Sequence, residues 1–129
     1  MKKLLSVLLA VCLCCGMLAG CGKKGKPDEV SQEVYDLGVE TCDVLDDYIQ
    51  GKMKQESCSE KLEALDDEAQ ALEEKLKEEL GDEYSFQDES IVSYIGFAAF
   101  SVNPLYYEEG ETYDAEDRLE DLKEKLNLE

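Results

Sequence analysis

Apolar residues recur in steps of three and four along most of this chain. Val30, Val34, Leu37, Thr41, Val44 and Tyr48 make one such series, and Cys42, Leu45 and Ile49 widen it. That rhythm puts them on one face of a helix. Asp28 and Glu29 follow Pro27 and suit the positive end of this helix, while Gly51 is a natural stop. A second series, Cys58, Leu62, Leu65, Ala69, Leu72 and Leu76, runs on to Leu80 and Gly81. Ser57-Cys58-Ser59-Glu60 fits a capping box at its start. Glu73 and Lys77 stand one turn apart and predict an ion pair.

The third segment has another character. Ile91, Val92, Tyr94, Ile95, Phe97, Ala98, Ala99, Phe100 and Val102 cover nearly every side of a helix, as in an element buried on several faces. Ser85 and Asp88 are its candidate caps, and Asn103-Pro104 ends it. The β-branched and aromatic content also admits a strand over residues 90–102, and the pattern alone leaves both open. A polar linker with Tyr106 and Tyr107 leads to a last short helix, with Asp114 as its cap and Ala115, Leu119, Leu122 and Leu126 on one face. The expectation is an all-α domain, a small three- or four-helix bundle. It begins with an antiparallel helical hairpin over residues 28–80 that packs around the apolar segment, and the last helix covers an open side.

The first 21 residues follow a different rule. Lys2 and Lys3 precede an uncharged run from Leu4 to Leu18, too short for a permanent span at about 20 residues and suited to an export signal. Leu18-Ala19-Gly20-Cys21 comes next. This segment resembles the lipobox of bacterial lipoproteins, and the resemblance covers residues 1–21 only. It implies a signal peptide over 1–20, cleavage before Cys21, and a diacylglyceryl group on the Cys21 sulfur, the sole covalent addition expected. Leu18, Ala19 and Gly20 would flank the cut. The implied location is the extracytoplasmic side of a cell membrane, held by lipid. Residues 21–27 then form a basic tether with Lys23, Lys24 and Lys26, and residues 28–129 the acidic helical domain.

Charge sharpens this division. The whole chain carries −19, but all 32 acidic residues and only eight basic ones lie beyond position 27, so residues 28–129 carry 8 − 32 = −24. Such a body repels nucleic acid and anionic headgroups. No histidine occurs anywhere, which removes the commonest general base and most zinc sites. With no catalytic constellation either, an enzyme is not expected.

Past the lipidation site only Cys42 and Cys58 remain. In a hairpin turning near Gly51, seven extended residues reach about 23 Å, and a helix rises about 12 Å from Cys42 to Gln50. The two thiols can therefore come level, and an oxidising compartment would join them. The bridge would stabilise the fold by about 3 kcal/mol in the chain-entropy model. Two buried free thiols are the alternative reading. Glu108, Glu109 and Glu111 are weak calcium candidates, since their linker lacks the alternating aspartates of an EF-hand.

These features imply a membrane-anchored binding or scaffolding module that meets another envelope protein. Two alternatives stand beside it. One is a neutraliser of a basic envelope-active protein, drawn by the acidic body. The other is a binder of calcium or another small cation.

Overall fold

The computed structural model describes residues 26–128. Among them are four α-helices, α1 (Gln32–Ile49), α2 (Gln55–Leu80), α3 (Phe86–Phe100) and α4 (Tyr113–Leu126), a 3-10 turn at Gly81–Glu83, and no strand. The domain is an all-α bundle, and residues 90–100 lie in α3, not in a strand, with 101 and 102 in the turn that follows.

Directions follow from side-chain pairs. Asp88 at the start of α3 reaches Ser31 at the start of α1, so these two helices run parallel. Lys77 of α2 lies 3.9 Å from Glu89, and a Cβ at Gly96 would meet Asp66, so α2 runs against α3. Lys125 sits over Tyr94 and Arg118 over Phe97, so α4 also opposes α3. The topology is up-down-up-down. α1 and α3 touch each other and both remaining helices, whereas α2 and α4 do not meet. The central pair is thus sandwiched, with Leu45, Leu62, Ile91, Ile95, Leu122 and Leu126 fully buried. Each such side chain contributes about 1.5–3 kcal/mol of transfer free energy.

Contact between α1 and α4 is close at Gly38. A Cβ there would lie 3.0 Å from both Leu126 methyl carbons, so the small residue sets the spacing. At the other end of α1, Gly51 adopts a φ of 81°, the left-handed conformation that turns the chain towards α2.

Helix ends differ from the expected ones. Ser31 caps α1, accepting from the Val34 N–H, and Pro27 to Val30 form a separate turn closed by Val30 N–H to Pro27 O at 3.1 Å. Lys26 reaches over this turn to the Val30 carbonyl at 2.6 Å. The capping box at Ser57 does not form, because α2 starts two residues earlier with Lys54 at the cap position, whose side chain accepts no bond from the helix. Its first turn is satisfied from a distance: the Gln55 N–H donates to the Glu109 carboxylate at 3.1 Å. Thr112, not Asp114, occupies the cap position of α4. Ser85 does cap α3, accepting from the Gln87 and Asp88 amides, and Glu73 pairs with Lys77 at 3.5 Å.

Cys42 and Cys58 are not bridged; both are free and buried, correcting the expected disulfide. The reason lies in how α1 divides its apolar face. Gly38 abuts Leu126, and Cys42 feels the Lys123 ammonium, so that stripe of α1 addresses α4. Cys58 belongs to α2, which never meets α4. Level heights along a hairpin do not guarantee that two side chains share an interface.

Candidate interaction surface

The third helix has more apolar surface than its three neighbours cover. Ile91, Val92, Ile95, Ala98 and Ala99 enter the core, while Phe86, Phe97 and Phe100 remain 74%, 50% and 51% exposed. Burial on several faces is as expected, but it does not extend to these three rings. Beyond Phe100, the loop adds Leu105 at 82% and Tyr106 at 62%, and α4 begins with Tyr113 at 60%. Scattered apolar residues are ordinary on a surface, whereas a contiguous group is not.

Here the group is contiguous. Phe100 lies 4.8 Å from Tyr106 and 6.2 Å from Tyr107, ring centre to ring centre, and Tyr107 lies 6.4 Å from Tyr113. These separations are normal for edge and offset ring pairs. Four rings therefore run as a ladder across the end of the bundle where α3 stops and α4 starts. Lower on α3, Tyr94 meets Phe97 at 5.6 Å.

The loop that carries the ladder is tightly held. The Gln55 side-chain amide donates to the carbonyls of Val102 and Tyr107 at 3.2 and 2.9 Å. The Gly110 N–H donates to the Tyr48 hydroxyl at 3.0 Å, and Asn103 accepts from the Leu105 N–H at 2.8 Å. The Tyr107 hydroxyl donates to Asp114, and that bond, with burial and the negative charge of Asp114 behind it, raises its pKa above the usual tyrosine value. The rings are thus displayed on a fixed frame, which lowers the ordering cost of binding.

The three calcium candidates do not converge. Glu109 turns to the start of α2, while Glu111 accepts from the Glu108 backbone at 2.7 Å. No cluster of three or more metal-ligating side chains exists among the described residues. Burial pushes the Cys42 thiol up to about 12, with Lys123 opposing that rise and Asp43 and Asp46 adding to it; burial alone does the same for Cys58. Both are protonated and shielded, a poor starting point for redox or metal chemistry.

A concavity of about 630 Å³ lies beside α4. Its lining mixes apolar Ile49, Leu119 and Leu128 with four carboxylates, Glu116 and Glu120 among them, and the Lys123 side chain. Leu18, Ala19, Gly20 and Cys21 lie outside the described residues. No helix among the described residues is long and apolar enough to cross a membrane.

No protein-family model matches the chain, and neither do any curated protein or solved structure. The surface must therefore be read from its own chemistry. Sequence pattern alone missed the exposed rings and the Gln55–Glu109 lock. A usable signal was present in the first case: a helix apolar on all sides, in a domain this small, has too few neighbours to bury it.

Proposed function

We propose that this chain is a lipid-anchored extracytoplasmic protein whose helical domain binds another envelope protein through the aromatic ladder. The observation that carries this reading is the exposed, rigidly framed group Phe100, Leu105, Tyr106 and Tyr113. Aromatic side chains offer large contact area with little rotamer freedom to lose, which is why they dominate binding hot spots.

The geometry of attachment agrees. Pro27 lies beside Gln87, Glu124 and Asn127, at the end of the bundle where α1 and α3 begin and α4 finishes. An anchor at Cys21 is five residues from Lys26, within about 17 Å of that end. The ladder stands at the opposite end, one α3 length away, about 22 Å for 15 residues. A lipid at Cys21 would turn the rings away from the supporting bilayer and towards a partner.

Affinity capture tests this reading. The lipid-anchored protein and a Phe100→Ser, Leu105→Ser variant would be exposed to envelope extract and washed at low and high salt. A partner retained by the parent and lost by the variant is expected. Equal capture by both would refute the aromatic surface as the binding site.

The groove beside α4 favours a second reading, capture of a basic envelope-active protein. Its four carboxylates outnumber the one lysine, Lys123, and fit a cationic ligand; binding there would be salt-sensitive and indifferent to Phe100 and Leu105.

A further inference from the structure

We propose that the aromatic ladder receives a cationic segment of its protein partner, an arginine- or lysine-bearing stretch whose charges lie over the rings and pair with the neighbouring carboxylates. The inference rests on the ladder being a protein-binding surface and names the chemistry of what it binds.

The domain already uses this contact internally. Lys77 sits 5.5 Å from the centre of the Tyr84 ring, Arg118 5.7 Å from Phe97, and Lys125 5.4 Å from Tyr94. The lower rings of α3 thus have cations supplied from α4. Among the described residues none lies over Phe100, Tyr106 or Tyr113, although these are at least as exposed as the rings that have one.

Charge around the ladder points the same way. Glu108 and Glu111 belong to the loop itself, and Asp114 stands in the first turn of α4, held against Tyr107. Ring faces carry negative quadrupole potential, so carboxylates and rings attract the same partner. A neutral or acidic apolar partner would bury these carboxylates with only Arg118, whose charge reaches Tyr107, to offset them. Guanidinium suits the site best, because its plane stacks on a ring while its edge donates to a carboxylate.

The test uses the full chain in a non-ionic detergent at physiological salt. The probe is a capped Gly-Arg-Gly-Arg-Gly-Arg peptide, with the matching citrulline peptide as an uncharged control of the same shape. Binding is followed by tyrosine fluorescence, which is unobscured because the chain has no tryptophan, and mapped by amide chemical shifts. Tyr106→Leu with Tyr113→Leu should weaken binding about fivefold or more, two exposed cation–ring contacts being worth about 0.5–1 kcal/mol each. Tyr106→Phe with Tyr113→Phe should stay within about twofold, since phenylalanine keeps the ring face. Circular dichroism melts confirm that each variant is folded.

The proposal is overturned if the citrulline peptide binds as well as the arginine one, or if the leucine variant binds like the parent. It also falls if Glu116→Gln with Glu120→Gln causes the larger loss, which would put the cation in the α4 groove. Failure here leaves the ladder's role intact where envelope capture still depends on Phe100 and Leu105. If that dependence is absent as well, the binding-surface reading falls with it.

Discussion

Replacing Glu109 by alanine removes the one side chain that caps the longest helix. The Gln55 N–H, in the first turn of α2, donates to the Glu109 carboxylate at 3.1 Å, and Lys54 supplies no side-chain cap of its own. Loss of an N-cap acceptor costs about 1 kcal/mol. The charge facing the helix's positive end adds about 0.3–1 kcal/mol, taken near the low end because Glu109 is exposed. Glu109→Ala should therefore destabilise the domain by about 1–1.5 kcal/mol. In a domain of this size that is a fall in Tm of about 4–12 °C. Glu109→Gln keeps an acceptor without the charge and should lose less than half as much. Thermal and urea unfolding, followed by circular dichroism at 222 nm, measure both. An alanine variant as stable as the parent would refute the tertiary cap, and a glutamine variant as unstable as the alanine would refute the ranking of hydrogen bond over charge. The consequence reaches the aromatic ladder, because Gln55 also holds the carbonyls of Val102 and Tyr107.

Other outcomes are equally checkable. Gly38→Ala gains helix propensity of about 1 kcal/mol but drives a methyl to 3.0 Å from the buried Leu126; overpacking of about 1–3 kcal/mol should win, giving a lower melting temperature, and a higher one would show that Leu126 yields freely. Asp88→Ala strips the acceptor of the Ser31 N–H from a carboxylate only 2% exposed, so denaturant titration should show a loss of about 1–3 kcal/mol, with Asp88→Asn milder because its amide oxygen still accepts. The raised thiol pKa values have a definite sign. Unfolded cysteines release protons near pH 9, whereas the folded ones hold them to about 12. Stability is therefore fully present below pH 9 and falls between 9 and 12, and a pH series of urea midpoints that stays flat across that window would contradict it. In native protein at neutral pH an aromatic disulfide reagent should label neither Cys42 nor Cys58, and denatured, non-reduced protein should show both as alkylatable thiols; a missing pair would restore the disulfide.

Legibility in the sequence tracked locality. The periodic stripes of α1, α2 and α4 were readable because their apolar faces repeat at helical spacing and each packs on an adjacent element. The Ser85 cap and the Glu73–Lys77 pair were readable because they close within one turn. What failed depended on distant parts of the chain. The start of α2 is set by Glu109, 54 residues away, so the nearby Ser57 was a plausible but wrong cap. Cys42 and Cys58 both lie on apolar stripes, yet α1 shares its wide face between α2 and α4. The glutamates of the linker suggested an ion, but two of them serve the loop's and α2's own backbone amides. Exposure of Phe97 and Phe100 depended on how many helices surround α3, a number that no local pattern contains.

Site-specific photocrosslinking tests the binding surface most directly. A benzoylphenylalanine at Leu105, 82% exposed beside the ladder, would be compared with the same group at Glu74 on the outer side of α2, in full-length protein within the producing cell. A discrete crosslinked protein at position 105, absent at 74 and diminished by Tyr106→Leu with Tyr113→Leu, is the predicted result. Equal crosslinking at both positions, or none at 105, would contradict the proposed binding role of the aromatic ladder.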